Sequence, residues 1–265
     1  EYAEGLRDHK QAIFEKFQQI IPAVENAFPE HNIVVRPHPT ENQEIYHQIA
    51  AGCERVEVSN EGNVVPWLMA ARALIHNGCT TGVEAYVMGV PAISYRAAVN
   101  ENYDDGFYRL PNLLSHQCFD FEELSTTLGK ILAGELGAAA GDERKTLARQ
   151  HLAALDGPLA CERIVDVCEK IIDGPAERSK SALFDRLTGY CMATMRTLKR
   201  QIKARLPRAH KKPEFHRHRY PEVSLEEMRV RVSRLQHLLG YSGELKVEQI
   251  QHKFFRIRSG SALDT

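Results

Sequence analysis

No uninterrupted apolar run in the 265 residues approaches the roughly 20 that a membrane-spanning helix needs, so no transmembrane segment is expected. No N-terminal stretch has the charged, apolar and small-residue order of a secretory signal peptide, and a cytoplasmic location follows as the expectation. The six cysteines (Cys53, Cys79, Cys118, Cys161, Cys168 and Cys191) include no CxxC pair and no zinc spacing. They read as reduced, mostly buried thiols, and Cys79, in a polar turn, has no base beside it in sequence to make it a nucleophile. His216 and His218 resemble a metal pair but lack a third ligand, so no metal and no cofactor are expected. Internal repeats and low-complexity tracts are also absent.

The overall charge is −1, yet it is unevenly spread. Residues 1–175 hold 14 Lys and Arg against 26 Asp and Glu, a balance of −12, whereas residues 176–265 hold 20 against 9, a balance of +11. The break falls near Gly174-Pro175. Two parts are therefore expected: residues 1–175, and a basic, mainly helical extension over 176–265. So large an asymmetry calls for a partner or an internal docking surface.

Residues 73–96 organise the first part. They read as a strand (Ala73–His76), a polar turn (Asn77–Thr81), a helix (Gly82–Met88) and a second strand (Ala92–Tyr95). Gly78 and Gly82 permit a sharp turn and close approach of a ligand. Thr80 and Thr81 bring hydroxyls to the helix start, where free N–H groups and the helix dipole favour an anion. Gly89 ends the helix and Pro91 opens the next strand. A second stretch, Ile33-Val34-Val35-Arg36-Pro37-His38-Pro39-Thr40, is a β-branched strand ending in a tip stiffened by two prolines around His38. In open α/β sheets, ligands sit beyond the carboxyl ends of parallel strands, which is where both tips fall.

The rest of the chain sets these motifs in an alternating pattern. A helix is expected over about Asp8–Ala27, from Ile13, Phe17, Ile20, Ile21 and Val24 at helical spacing. A helix capped by Thr40 or Asn42 follows over about Gln43–Ala51, then a strand at Val56–Val58. The next helix, Val64–Ala71, has Pro66 in its first turn and Trp67 and Leu68 toward the core. After Tyr95 comes a long polar loop, Arg96–His116, then a strand at Cys118–Asp120. Asp120 caps the helix Glu122–Ala133, and two more helices follow over Asp142–Leu155 and Leu159–Ile172. Such alternation predicts α/β architecture with a doubly wound parallel sheet. Beyond it, residues 181–206 form a basic amphipathic helix, Pro207–Pro221 a basic linker, Ser224–Leu239 a helix opened by a capping box, and Leu245–Ile257 a mixed tail.

In combination, Arg-Pro-His-Pro, Glu-Gly-Asn-Val-Val-Pro-Trp-Leu and His-Asn-Gly-Cys-Thr-Thr-Gly-Val-Glu-Ala followed by Gly-Val-Pro-Ala-Ile-Ser-Tyr resemble the C-terminal, nucleotide-binding, Rossmann-like half of GT-B-fold glycosyltransferases. The likeness covers about residues 31–172 and is closest to bacterial surface-carbohydrate (capsule and lipopolysaccharide) biosynthesis proteins. The His-Pro pair with a hydroxyl-bearing turn is also similar to Kdo- and sialyl-transferases, which use CMP-sugars. The resemblance implies a nucleotide-sugar donor, CMP-linked in preference, and a glycan or lipid-linked acceptor. It assigns the donor nucleotide and phosphate to His38, Pro39, Thr80 and Thr81, and the donor ribose or sugar to Glu84. Arg36, Asn77, Gly78, Gly82 and Arg96 join them as candidate donor- or phosphate-binding residues. The chain has no Asp-x-Asp motif, which agrees with a metal-independent mechanism. In the family a further N-terminal domain binds the acceptor and usually supplies the catalytic base. Residues 1–30 do not accommodate it, so that domain and the base are expected outside this chain. Glycerophosphotransferases or related phosphosugar transferases on the same fold are the alternative, and a non-catalytic nucleotide-binding scaffold is a third.

The basic helix over 181–206 mixes Leu183, Phe184, Leu187, Tyr190, Met195, Leu198 and Ile202 with Arg186, Arg196, Lys199, Arg200, Lys203 and Arg205. An anionic membrane surface and the acidic body of the chain compete for it, the membrane preferred, which suggests a peripheral position on the inner face of the inner membrane. Nucleic acid is not expected, because few aromatics interleave with the basic residues.

Overall fold

The computed structural model describes residues 2–38, 41–104, 109–173, 183–204, 222–251 and 254–260. Pro39, Thr40, the Gly174-Pro175 boundary, Arg205 and the linker with His216 and His218 lie outside the described residues. The chain divides into two compact units, Glu1–Arg178 and Ser179–Thr265.

The first unit is mixed α/β with small parallel sheets. Its elements are α1 (Tyr2–Ala27), β1 (Ile33–Val35), α2 (Glu44–Ala50), β2 (Val56–Val58), α3 (Val64–Ala70), β3 (Leu74–His76) and α4 (Thr80–Met88). They continue with β4 (Ala92–Tyr95), α5 (Glu101–Asp104), α6 (Arg109–Leu113), β5 (His116–Cys118), α7 (Phe121–Leu132), α8 (Asp142–His151) and α9 (Ala160–Asp173). β1 pairs with β2 in parallel, and β3, β4 and β5 form a separate three-stranded parallel ladder in that order.

β4 is buried along its whole length, and its side chains alternate between two apolar layers. Ile93 and Tyr95 join Ile20 and Val24 of α1, Cys118, and Leu124, Leu128 and Ile131 of α7. Ala92 instead meets Leu68 of α3 and Ala85 of α4. Helices therefore cover both faces of this ladder. Ile33 of β1 and Ile75 of β3 pack against the same apolar cluster, so the two ladders share one core.

Local chemistry accounts for several boundaries. Asn63 accepts the Val65 N–H at 2.8 Å and starts α3. Asp120 accepts the Glu123 N–H at 2.8 Å and starts α7, as expected. Gly89 ends α4 in the left-handed region at φ 70°, and the Val90 N–H reaches back to the Ala85 carbonyl at 2.9 Å.

Four expectations are corrected. α1 begins six residues earlier than its apolar spacing suggests, because tertiary contacts recruit the first turns: Tyr2 stacks edge-on with Tyr103 at 5.2 Å, and His9 bonds Asp104. The stretch 96–116 is not one loop but carries α5 and α6, each too short to show periodicity. β5 lies two residues upstream of its expected place, because register with β4 pairs Ile93 with His116 and Tyr95 with Cys118. Leu68 is buried but Trp67 only half so, since its indole N–H donates to the Glu61 carbonyl at 3.0 Å and holds the ring at the rim.

The second unit comprises α10 (Leu183–Ala204), α11 (Leu225–Leu238), β6 (Leu245–Gln251) and β7 (Phe254–Ser259). Ser224 caps α11, accepting the Glu227 N–H at 3.1 Å. The extension is not wholly helical: the expected mixed tail is an antiparallel hairpin. Across it Glu248 pairs with Arg256 at 2.8 Å and Arg258 at 3.1 Å, while Val247 is buried. Alternation of Leu245 and Val247 with Lys246 and Glu248 suits a strand with one covered face. Among the described residues, no helix is long and apolar enough to cross a membrane.

The thiols depart from expectation as well. Only Cys118 is buried and Cys53 is half-buried, whereas Cys79, Cys161, Cys168 and Cys191 are exposed, because the helix faces and turn that carry them are uncovered. The first unit's stability rests instead on the α1–β4–α7 layer. Leu124→Ala, at a fully buried position, is expected to cost about 2–5 kcal/mol. Chemical denaturation checks this, and a cost below about 1 kcal/mol would show that the layer repacks freely.

Candidate functional site

The candidate site is built where β3 hands over to α4. His76 closes the strand, and Gly78 turns the chain with φ 58°. Two carboxamides fix that turn. Asn77 donates through Nδ2 to the Tyr95 carbonyl at 2.8 Å, tying the turn to β4. Asn112 of α6 accepts the Gly78 N–H through Oδ1 at 2.7 Å, and the same oxygen accepts the Ser94 hydroxyl at 2.7 Å. Gly78, Ser94 and Asn112 are all buried.

The helix that follows starts without a side-chain cap. Cys79 occupies the N-cap in extended conformation and contributes no capping bond. Thr80 is exposed, and the half-buried Thr81 donates its hydroxyl to Cys79 Sγ at 2.9 Å. Such an end offers N–H groups and a partial positive charge to an anion. Gly82 is required by packing: a Cβ there would lie 2.5 Å from both Cε1 and Nε2 of His76. Glu84, one turn further, is exposed.

His76 belongs to the site's support. Its ring is buried, and Nε2 lies 2.8 Å from Ser115 Oγ. The Ser115 hydroxyl donates to the Pro111 carbonyl at 2.9 Å, so Nε2 must carry the proton and donate to Ser115. Nδ1 is buried with no hydrogen-bond partner. Burial pushes the imidazole pKa down to about 4, and the ring is neutral at pH 7.

The two arginines named from sequence hold neighbouring loops. Arg36 donates to the carbonyls of Ser59 at 3.2 Å, Glu61 at 3.1 Å and Gly62 at 3.4 Å, and its guanidinium lies 4.8 Å from the centre of the Trp67 ring. Arg96 donates to Gln117 Oε1 at 2.7 Å and Asp104 Oδ2 at 3.2 Å. Asp104 also bonds His9 at 2.7 Å and accepts the Asn100 N–H at 3.0 Å. Burial alone raises the Asp104 carboxyl, but Asn100, His9 and Arg96 together hold it below its ordinary value. His38 is exposed beyond β1, and its carbonyl accepts the Glu41 N–H at 2.8 Å. Pro39 lies outside the described residues.

The structure thus brings Asn77 and Gly78 of the turn together with Thr80, Thr81 and Gly82 of the first turn of α4, and engages Arg36 and Arg96 elsewhere. Sequence reasoning missed His76, Ser94, Asn112, Ser115, His9 and Asp104 as supporting groups. A histidine closing the apolar run Leu-Ile-His was the one available signal. Among the described residues, no group of three or more His, Cys, Asp or Glu is placed to hold a metal ion.

The chain matches no protein-family model, no curated protein and no solved structure.

Two outcomes follow from the His76 packing. An unfolded histidine titrates near 6.5, so the folded ring, with its lowered pKa, is neutral where the unfolded one becomes charged. Its contribution is intact above about pH 6.5 and is lost as pH falls toward about 4, at up to about 1.4 kcal/mol per pH unit. Melting curves from pH 7.5 down to 4.5 should show this slope, and His76→Gln should flatten it; parallel curves would sink the assignment. Gly82→Ala should cost roughly 1–3 kcal/mol by displacing the ring, measured by denaturation at pH 7.5.

Proposed function

We propose that the first unit binds the phosphate of a nucleotide-activated sugar at the start of α4, as the donor-binding part of a glycosyltransferase of bacterial surface-polysaccharide synthesis. The observation that carries this reading is the uncapped helix start, with Thr80 exposed, at the carboxyl end of the parallel strand β3. A phosphate there would meet α4's first N–H groups and the Thr80 hydroxyl. The rigid turn behind it keeps those donors in place without reorganisation, which suits stabilisation of a leaving phosphate.

Architecture supports the same reading. The ladders β1–β2 and β3–β4–β5 share an apolar cluster, and helices cover both faces of the second. We read them as parts of one doubly wound sheet in the order 2-1-3-4-5. In that order the direction of chain progression reverses between β1 and β3, and ligands of such sheets bind at that reversal. The two sequence motifs follow those two strands. His38, exposed beyond β1, is then a second donor toward the nucleotide, and Glu84 faces the donor's sugar. Arg36 and Arg96 act by holding the flanking loops. The acceptor in this reading is a glycan or a lipid-linked molecule.

The test is a thermal-shift and calorimetric panel of CMP, CDP, UDP, GDP and a CDP-alcohol on the full chain. A cytidine nucleotide should bind best. His38→Ala and Thr80→Ala should each weaken it by about 1–3 kcal/mol, the range for losing a hydrogen bond to a charged group, with denaturation of each variant as the control for folding. Parent-like binding by both variants would refute the site. Preferential stabilisation by a CDP-alcohol would instead favour glycerophosphate transfer.

A further inference from the structure

From the exposed faces of α10 we infer that this helix lies in the surface of an anionic lipid bilayer. Five of its apolar residues, Leu187, Tyr190, Met195, Leu198 and Ile202, recur at three- to five-residue steps and form one stripe. Each is between 56% and 67% exposed, so the stripe is uncovered. Arg196 and Lys199 are exposed on the other side: at 3.6 residues per turn, position 196 falls about half a turn away from position 187. Positions 186, 200 and 203 share that half. Over Leu183–Ala204 the sequence carries five basic residues against the single acidic Asp185.

Helix α9 provides an internal comparison. Ile164, Val167 and Ile171 form a stripe just as exposed. Its charged residues, however, are Glu162, Asp166, Glu169 and Asp173 against Arg163 and Lys170. An acidic helix is repelled by anionic headgroups, whereas a basic one is attracted, so the two similar stripes call for different occupants. For α10, spanning is ruled out by its polarity, since five basic residues and Asp185 interrupt its apolar positions. Pairing with a second copy would bring two strongly basic helices together. A bilayer surface instead supplies both needs at once: apolar depth for the stripe, and negative charge for Lys and Arg side chains that extend toward the headgroups.

The experiment is co-sedimentation of the full chain with vesicles of phosphatidylcholine alone, or with about a quarter phosphatidylglycerol, at low and high salt. Binding should require phosphatidylglycerol and fall at high salt. Replacing Arg196, Lys199, Arg200 and Lys203 together by Gln should weaken it by more than about a hundredfold, at roughly fivefold per charge. Leu198→Ser with Ile202→Ser keeps every charge and should still cost at least about tenfold, because the stripe is buried in the interface. Circular dichroism confirms that both variants keep their helix. Binding indifferent to lipid charge, no binding, or an unaffected Leu198/Ile202 variant would each overturn the inference. Loss of nucleotide binding in the first unit would leave all these outcomes unchanged.

Discussion

One oxygen atom holds the candidate site together. Asn112 Oδ1 uses both of its lone pairs, one for the Gly78 N–H and one for the Ser94 hydroxyl, each at 2.7 Å and away from water. The first bond fixes the left-handed turn that leaves β3, and the second fixes that turn against β4. A buried donor left without its acceptor costs about 1–3 kcal/mol, so removing this carboxamide would leave two donors unpaired together. The course of α4, and with it the exposure of Thr80, depends on this clamp. A carboxylate would offer enough lone pairs but would bring an unpaired charge into the core, which makes the neutral amide the suitable group.

Two polar networks flank the clamp and differ in kind. The His76–Ser115–Pro111 chain is neutral, with every proton assigned by its neighbours, and it supports α4 through the ring that fills the space over Gly82. The His9–Asp104–Arg96–Gln117 chain contains a buried carboxylate and ties the start of α1 to the loop after β4. Buried ionic groups contribute less to stability than to uniqueness of arrangement when their partners are complete, and they destabilise strongly when one partner is removed. Here the charged network orders a stretch that has little apolar content of its own.

The two units divide their surfaces by charge. In the first, a parallel ladder buries its strands under helices on both faces and directs its turns to one end. In the second, α10 keeps its apolar stripe outside, while Val232 of α11 and Val247 of the hairpin are buried.

Sequence by itself determined the elements whose causes are local. Val56–Val58 and Ala92–Tyr95 are strands in the places that β-branched and apolar runs suggest, and Gly89 and Asp120 end and begin helices through their own backbone freedom and side-chain oxygen. The turn was legible for the same reason, but it is shorter than Asn77–Thr81: α4 begins at Thr80, two residues before the expected start at Gly82, with Cys79 as its N-cap. What only the tertiary structure decided lies between residues far apart in the chain. His9 meets Asp104 across 95 positions, His76 meets Ser115 across 39 and Gly78 meets Asn112 across 34. No period or cap encodes such distances. Arg36 and Arg96 look, in sequence, like free cations beside a phosphate site. In the fold they are held by carbonyls, Trp67, Gln117 and Asp104, because a guanidinium with five donors satisfies the acceptors nearest to it once the strands have set their register.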